Sequence, residues 1–137
     1  MLAVDTNLIV RVLTQDDPAQ ASVAADVLRG GVWIPKSVVL EVAWVLANTY
    51  GYQRLQIADA LDKLLSTSSV ETEDRQAVHR AIAWFRDGLD FADALHLASS
   101  SLATGLATFD RAFARRASDL GTSPPVVGLK APATSLR

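Results

Sequence analysis

The chain has 137 residues, half of them hydrophobic and 20% charged, with no cysteine and a formal net charge of −2. That length suits one domain with a single core, and the composition is globular rather than fibrous or disordered. Without cysteine there is no disulfide framework, thiolate metal site or cysteine nucleophile, and without net positive charge any nucleic-acid contact has to be local.

Leu2-Ala3-Val4 is a short apolar run closed by Asp5, which predicts a strand and a turn, followed by a helix carrying Leu8, Ile9, Val10, Val12 and Leu13. Asp16-Asp17-Pro18 opens a second helix, with Ala21, Ala24, Ala25 and Leu28 inward and Gly30-Gly31 as its stop. Val32-Trp33-Ile34, held between those glycines and Pro35, reads as a minimal buried strand. Ser37 is the expected cap of the next helix. Its run Val38 to Leu46 is apolar nearly all round except at Glu41, the pattern of a helix packed on several sides.

Leu55 starts a helix with Ile57, Leu61, Leu64 and Leu65 on one face and an Asp59–Lys63 pair at i,i+4 on the other. Val70-Glu71-Thr72 suits a short edge strand, and Asp74 then starts a helix in which Val78, Ile82 and Phe85 repeat up to Gly88. Asp90-Phe91-Ala92-Asp93 opens a helix expected to run from Leu95 to Leu102, with Gly105 as its stop. Leu106 to Phe109 is the strand that follows, and Asp110 stands at its exit. Phe113 and its neighbouring alanines predict a last short helix, Val126-Val127-Gly128 a final strand, and residues 131–137 a frayed tail.

Strand and helix in alternation imply right-handed crossovers and an α/β fold. The expected architecture is a three-layer α/β/α sandwich around a mainly parallel central sheet, one domain over residues 1–130. Ligands of such sheets gather beyond the carboxyl ends of the strands.

Asp5, Glu41, Asp93 and Asp110 each interrupt or end an apolar run, where a buried anion is costly unless compensated. Singly, three have plain structural readings. Asp5 can cap the first helix, Asp93 can belong to a cap begun by Asp90, and Asp110 can start the helix of Phe113. Glu41 is harder to account for, because its neighbours are apolar. Gathered on one side of a sheet, the four form an anionic pocket that needs a cation, and oxygen-only ligands select Mg²⁺ or Mn²⁺ over zinc. His96 is weighted towards packing or hydrogen bonding rather than ligation, and His79 towards exposure.

Asp5-Thr6-Asn7 at the start, Glu41 on an apolar helix after a short strand, Asp93-Ala94-Leu95 opening a helix and Thr108-Phe109-Asp110 ending a strand resemble the PIN domain. More narrowly they resemble the VapC toxins of toxin–antitoxin pairs, and the resemblance covers Met1 to about Val127. It implies an endoribonuclease that hydrolyses RNA phosphodiester bonds with one or two Mg²⁺ or Mn²⁺ ions held by Asp5, Glu41, Asp93 and Asp110. Asp90 keeps two readings, a further acid of the pocket or a helix cap only. Thr6, Asn7 and Thr108 match polar positions that steady the ligands through hydrogen bonds.

The same resemblance implies attack by water, leaving a 5′-phosphate and a 3′-hydroxyl. It also implies a VapB-like antitoxin whose C-terminal segment crosses the groove. A homodimer through the early helices is implied as well, with Trp44, Tyr50 and Tyr52 as contributors, core burial being the weightier reading for Trp44. Arg11, Lys36, Arg111, Arg115 and Arg116 are the candidates to hold the RNA backbone, arginine being the better fork for phosphate.

No apolar run reaches the ~20 residues that span a bilayer, and no leader pattern opens the chain, so a soluble cytoplasmic protein is expected. Aspartyl-phosphate phosphatases also begin with a strand and an aspartate, but their second acid falls where Asn7 stands, and a receiver domain needs a late lysine where only Lys130 is found. The remaining alternative is a catalytically weak module of the same fold that acts by binding RNA or a partner.

Overall fold

In residues 1–133, which the computed structural model describes, the elements run β1 (Leu2–Ala3), α1 (Thr6–Thr14), α2 (Pro18–Arg29), β2 (Val32–Ile34), α3 (Lys36–Asn48) and α4 (Arg54–Leu65). They continue with β3 (Val70–Thr72), α5 (Arg75–Arg86), α6 (Phe91–Ala98), β4 (Leu106–Thr108), α7 (Arg111–Leu120) and β5 (Val126–Gly128). The mixed α/β architecture is the one the alternation predicts. Residues 134–137 of the expected tail lie outside the described residues.

Every strand pair is parallel, but the strands form two sheets rather than a single central one. The order β1-β2-β3 makes the first, with Leu2 opposite Val32 and Val32 opposite Val70. β4 and β5 make the second, with Leu106 opposite Val126 and Thr108 opposite Gly128. Strands of two or three residues form too few ladder bonds to build a wide sheet, so the helices supply most of the core. Ile9, Leu46, Leu61, Leu65, Ile82, Leu89 and Leu97 are fully buried there with Ile34 of β2. As predicted, β3 is an edge strand.

Four local expectations are corrected. α3 packs on several sides, against α1, α4 and α6 with Val39, Val42, Ala43 and Leu46 as its buried stripe, but Trp44, weighted towards core burial, is 62% exposed, and Glu41 is exposed too. Ser37 does not cap α3. The helix begins at Lys36, after Pro35, and the Lys36 N–H donates to Glu73 Oε1 at 2.8 Å, so its cap comes from the chain just after β3. Asp59 pairs not with Lys63 but with Arg86 of α5, which holds Asp59 at 2.8 Å and Asp62 at 2.5 Å and ties α4 to α5.

Finally, α6 stops at Ala98, not Leu102. The Ser100 hydroxyl donates to the His96 carbonyl at 2.7 Å, and a run of serines that compete for backbone groups ends the helix before Gly105 is reached. Leu102 is fully exposed as a result. No helix among the described residues is long and apolar enough to cross a membrane.

Candidate functional site

Asp5 is placed by both elements that flank it. The Val4 N–H donates to the Trp33 carbonyl at 3.1 Å, extending the β1 ladder, and Asp5 Oδ1 accepts from the Leu8 N–H at 3.0 Å as the N-cap of α1. One residue on, Thr6 Oγ1 donates to Glu41 Oε1 at 2.6 Å, a bond across 35 residues that brings α3 to the start of α1. Asn7 is exposed beside them.

A second group forms where α6 and α7 begin. Asp90 Oδ2 caps α6 by accepting from the Asp93 N–H at 3.1 Å. Asp110 Oδ1 caps α7 by accepting from the Phe113 N–H at 3.0 Å, while the Asp110 N–H donates to Thr108 Oγ1 at 3.0 Å. Partial burial holds the Asp93 carboxyl above its ordinary pKa. The carboxylates of Asp90 and Asp110 push it the same way, and His96 partly offsets them. Three acids from two helix starts therefore share one field.

The expectation that these acids are buried is corrected. Asp5, Glu41, Asp90 and Asp110 are exposed, and Asp93 alone is partly buried. Among the described residues no three Asp, Glu or His side chains stand close enough to close around a metal ion. The acids lie instead as two groups, Asp5 with Glu41 and Asp93 with Asp90 and Asp110. Like charges without a counterion repel, and each cap bond holds a carboxylate against its own helix.

The donor chemistry nevertheless fits a hard divalent cation. None of the five acids takes part in an ion pair among the described residues; those formed use Asp16, Asp26, Asp59, Asp62 and Asp74 instead. Asp5, Glu41, Asp90 and Asp110 each commit one carboxylate oxygen to a hydrogen bond and, among the described residues, keep the other without one. Asp93 accepts none. All-oxygen donors with surplus negative charge are what Mg²⁺ or Mn²⁺ selects.

The basic candidates divide sharply. Arg11 is held internally: its Nη1 donates to Asp16 at 2.9 Å and to the Tyr50 hydroxyl at 3.1 Å, and its Nε donates to Gln20 at 2.9 Å. The Tyr50 hydroxyl donates to Asp16 Oδ2 at 2.6 Å, and that bond is the chief reason the Asp16 carboxyl lies below its ordinary pKa. Hydrogen bonding with Tyr50 likewise leads the upward shift of the Arg11 guanidinium. Lys36 pairs with Asp74 at 3.1 Å. Arg111, Arg115 and Arg116 are exposed and form no ion pair among the described residues.

The Arg11–Asp16–Tyr50 network escaped the sequence reading, although one sign of it was present. Asp16 and Asp17 are adjacent, one cap suffices, and Asp17 fills it by accepting from the Gln20 N–H at 3.1 Å. Between α1 and α2 lies a cleft of about 460 Å³ lined by Asp5, Asn7, Leu8, Arg11, Gln20 and the 65% exposed Val23. It opens directly beside the first acid.

A family model described as PIN domain matches residues 2–119. No curated protein matches the chain.

Proposed function

Because the chain belongs to the PIN-domain family, whose members are generally metal-dependent nucleases, we propose that it is a Mg²⁺- or Mn²⁺-dependent endoribonuclease and the VapC-type toxin of a toxin–antitoxin pair. The observation that carries this is the placement of Asp5, Glu41, Asp90, Asp93 and Asp110 at the start of α1, on α3 bonded to that start through Thr6, and at the starts of α6 and α7, none of them in an ion pair among the described residues. Residues 1–130 would be the functional domain.

Asp5, Glu41, Asp93 and Asp110 would hold one or two ions, with Asp90 as cap and electrostatic neighbour. A bound divalent ion supplies a more acidic water and neutralises charge on the phosphate oxygens. The chain's own residues do the positioning. Thr6 fixes the rotation of Glu41, Thr108 fixes the backbone of Asp110, and the cap bonds hold the carboxylates of Asp5 and Asp110 at the starts of their helices. Arg111, Arg115 and Arg116 would hold the RNA backbone, whereas Arg11 and Lys36 are already engaged and are weaker candidates than the sequence suggested.

A VapB-like antitoxin segment would lie along the cleft between α1 and α2, whose exposed Val23 suits an apolar anchor beside Asp5. A homodimer would use the exposed Trp44 of α3. Tyr50, whose hydroxyl is bonded internally, would contribute less.

Cleavage of single-stranded RNA in Mn²⁺, abolished by EDTA, tests the reading. Asp5→Asn and Asp93→Asn should each lower activity by more than the roughly 10–100-fold lost with an outer-shell partner. RNA binding by the wild type with no cleavage in Mn²⁺ would favour the binding-module alternative.

A further inference from the structure

Most positive side chains of this protein already have partners. Arg11, Arg29, Lys36 and Arg86 pair with acids. Arg54 donates to the carbonyls of Phe85 and Leu89, Arg75 to that of Leu65, and Arg80 lies over the Trp84 ring. Lys63 apart, the described basic side chains with no such partner are Arg111, Arg115 and Arg116 of α7 and Lys130 just beyond β5. The uncommitted positive charge is therefore concentrated at one end of the second sheet.

Two of these cations converge. Arg111 and Lys130 line one cavity of about 250 Å³, with Ala114, Gly128 and Leu129 as its remaining walls. Lys130 is delivered there by backbone. β5 pairs with β4 up to Thr108 opposite Gly128, and the Leu129 N–H donates to the Thr108 carbonyl at 2.7 Å. Gly128 lies so close to α7 that a Cβ on it would come within 3.3 Å of the Ala114 Cβ, so strand and helix are in tight register. Thr108 thus serves both sides: its carbonyl anchors the strand that carries Lys130, and its hydroxyl accepts from the Asp110 N–H.

Two cations facing one space with no carboxylate among its described walls repel each other, and an anion between them relieves the repulsion. At the ~30 Å³ that one water occupies, the cavity has room for about eight waters, enough for a phosphodiester group. Resting on the nuclease reading above, we propose that Arg111 and Lys130 form a phosphate subsite that seats an RNA backbone phosphate next to the scissile one, on the Asp110 side of the acidic site. It is a positioning site: it holds the strand against a molecule whose net charge repels RNA.

Fluorescence anisotropy of a labelled single-stranded RNA with the whole protein in EDTA, over a salt series, tests this apart from cleavage. Loss of one phosphate contact on a single strand lowers the slope of log K against log salt by ~0.7. Lys130→Ala and Arg111→Ala are each expected to lower it by that amount, and Lys130→Arg to retain it. Lys63→Ala, which removes a cation of α4, should leave it unchanged. Lys130 and Arg111 are both exposed, so neither change disturbs the core. If the wild type binds RNA but neither alanine variant alters the slope, or if Lys63→Ala alters it equally, the subsite is wrong and the nuclease reading stands. A wild type that neither binds RNA nor cuts it in Mn²⁺ overturns the nuclease reading itself.

Discussion

Asp5, Asp90 and Asp110 are helix caps and candidate ligands at once, each with one oxygen on a backbone N–H and, among the described residues, one without a hydrogen bond. The two roles separate by substitution. Asparagine caps about as well as aspartate, so Asp110→Asn should leave stability nearly unchanged, whereas Asp110→Ala should cost ~0.5–2 kcal/mol in chemical denaturation. Both should lose RNA cleavage. Asp93 differs, because its carboxyl is held above its ordinary pKa by burial and by the carboxylates of Asp90 and Asp110. The folded state then binds this proton more tightly than the unfolded chain does, so stability falls as pH rises through the folded pKa. In EDTA near neutral pH, Asp93→Asn should therefore raise Tm, and the gain should shrink as the pH drops back towards the ordinary carboxylate value. A Tm lowered at neutral pH would contradict this.

At the scale of elements, positions in the chain were readable and several partners were not. Asp5, Asp90 and Asp110 were recognised as possible caps because a cap is a local signal, an acid followed by an apolar helix. The cap of α3 comes from Glu73, 37 residues away, and the partner of Asp59 comes from α5, so neither was visible in its own neighbourhood. The bond from Thr6 to Glu41 is of the same kind: both residues were named, but only tertiary packing makes them touch. The apolar run of α3 hid the exposure of Trp44, since hydrophobicity all round a helix does not say which neighbours exist. α6 ends short of Gly105 because three successive serines compete for backbone groups before the glycine is reached. Leu97 and Leu102 now test that boundary. Leu97→Ala, inside the helix and fully buried, should cost ~2–5 kcal/mol in denaturant unfolding. Leu102→Ser, beyond it and exposed, should fall within ~0.5 kcal/mol of the wild type.

Over the whole molecule, charge is arranged rather than merely summed. Asp5, Asp90, Asp93 and Asp110, in no ion pair among the described residues, stand at the starts of α1, α6 and α7, and, Lys63 apart, the described cations without partners lie on α7 and just after β5. An ion that binds only the folded acids would stabilise the entire fold by mass action, by ~2.7 kcal/mol at a hundred times its dissociation constant. Thermal unfolding in Mn²⁺ against EDTA should show the corresponding rise in Tm, lost in Asp5→Asn and Asp110→Asn; an identical Tm in both conditions would speak against a metal site.

The second sheet sets an order of events during synthesis. β4, whose end carries Asp110, has β5 as its ladder neighbour, and β5 lies at residues 126–128. A ribosome working from the N-terminus releases Asp5, Glu41 and Asp93 well before the strand that braces Asp110 has been translated. The nascent polypeptide thus lacks the brace of Asp110 until residues 126–128 have been read, which leaves an interval in which it emerges with Asp5, Glu41 and Asp93 translated and the second sheet still unpaired.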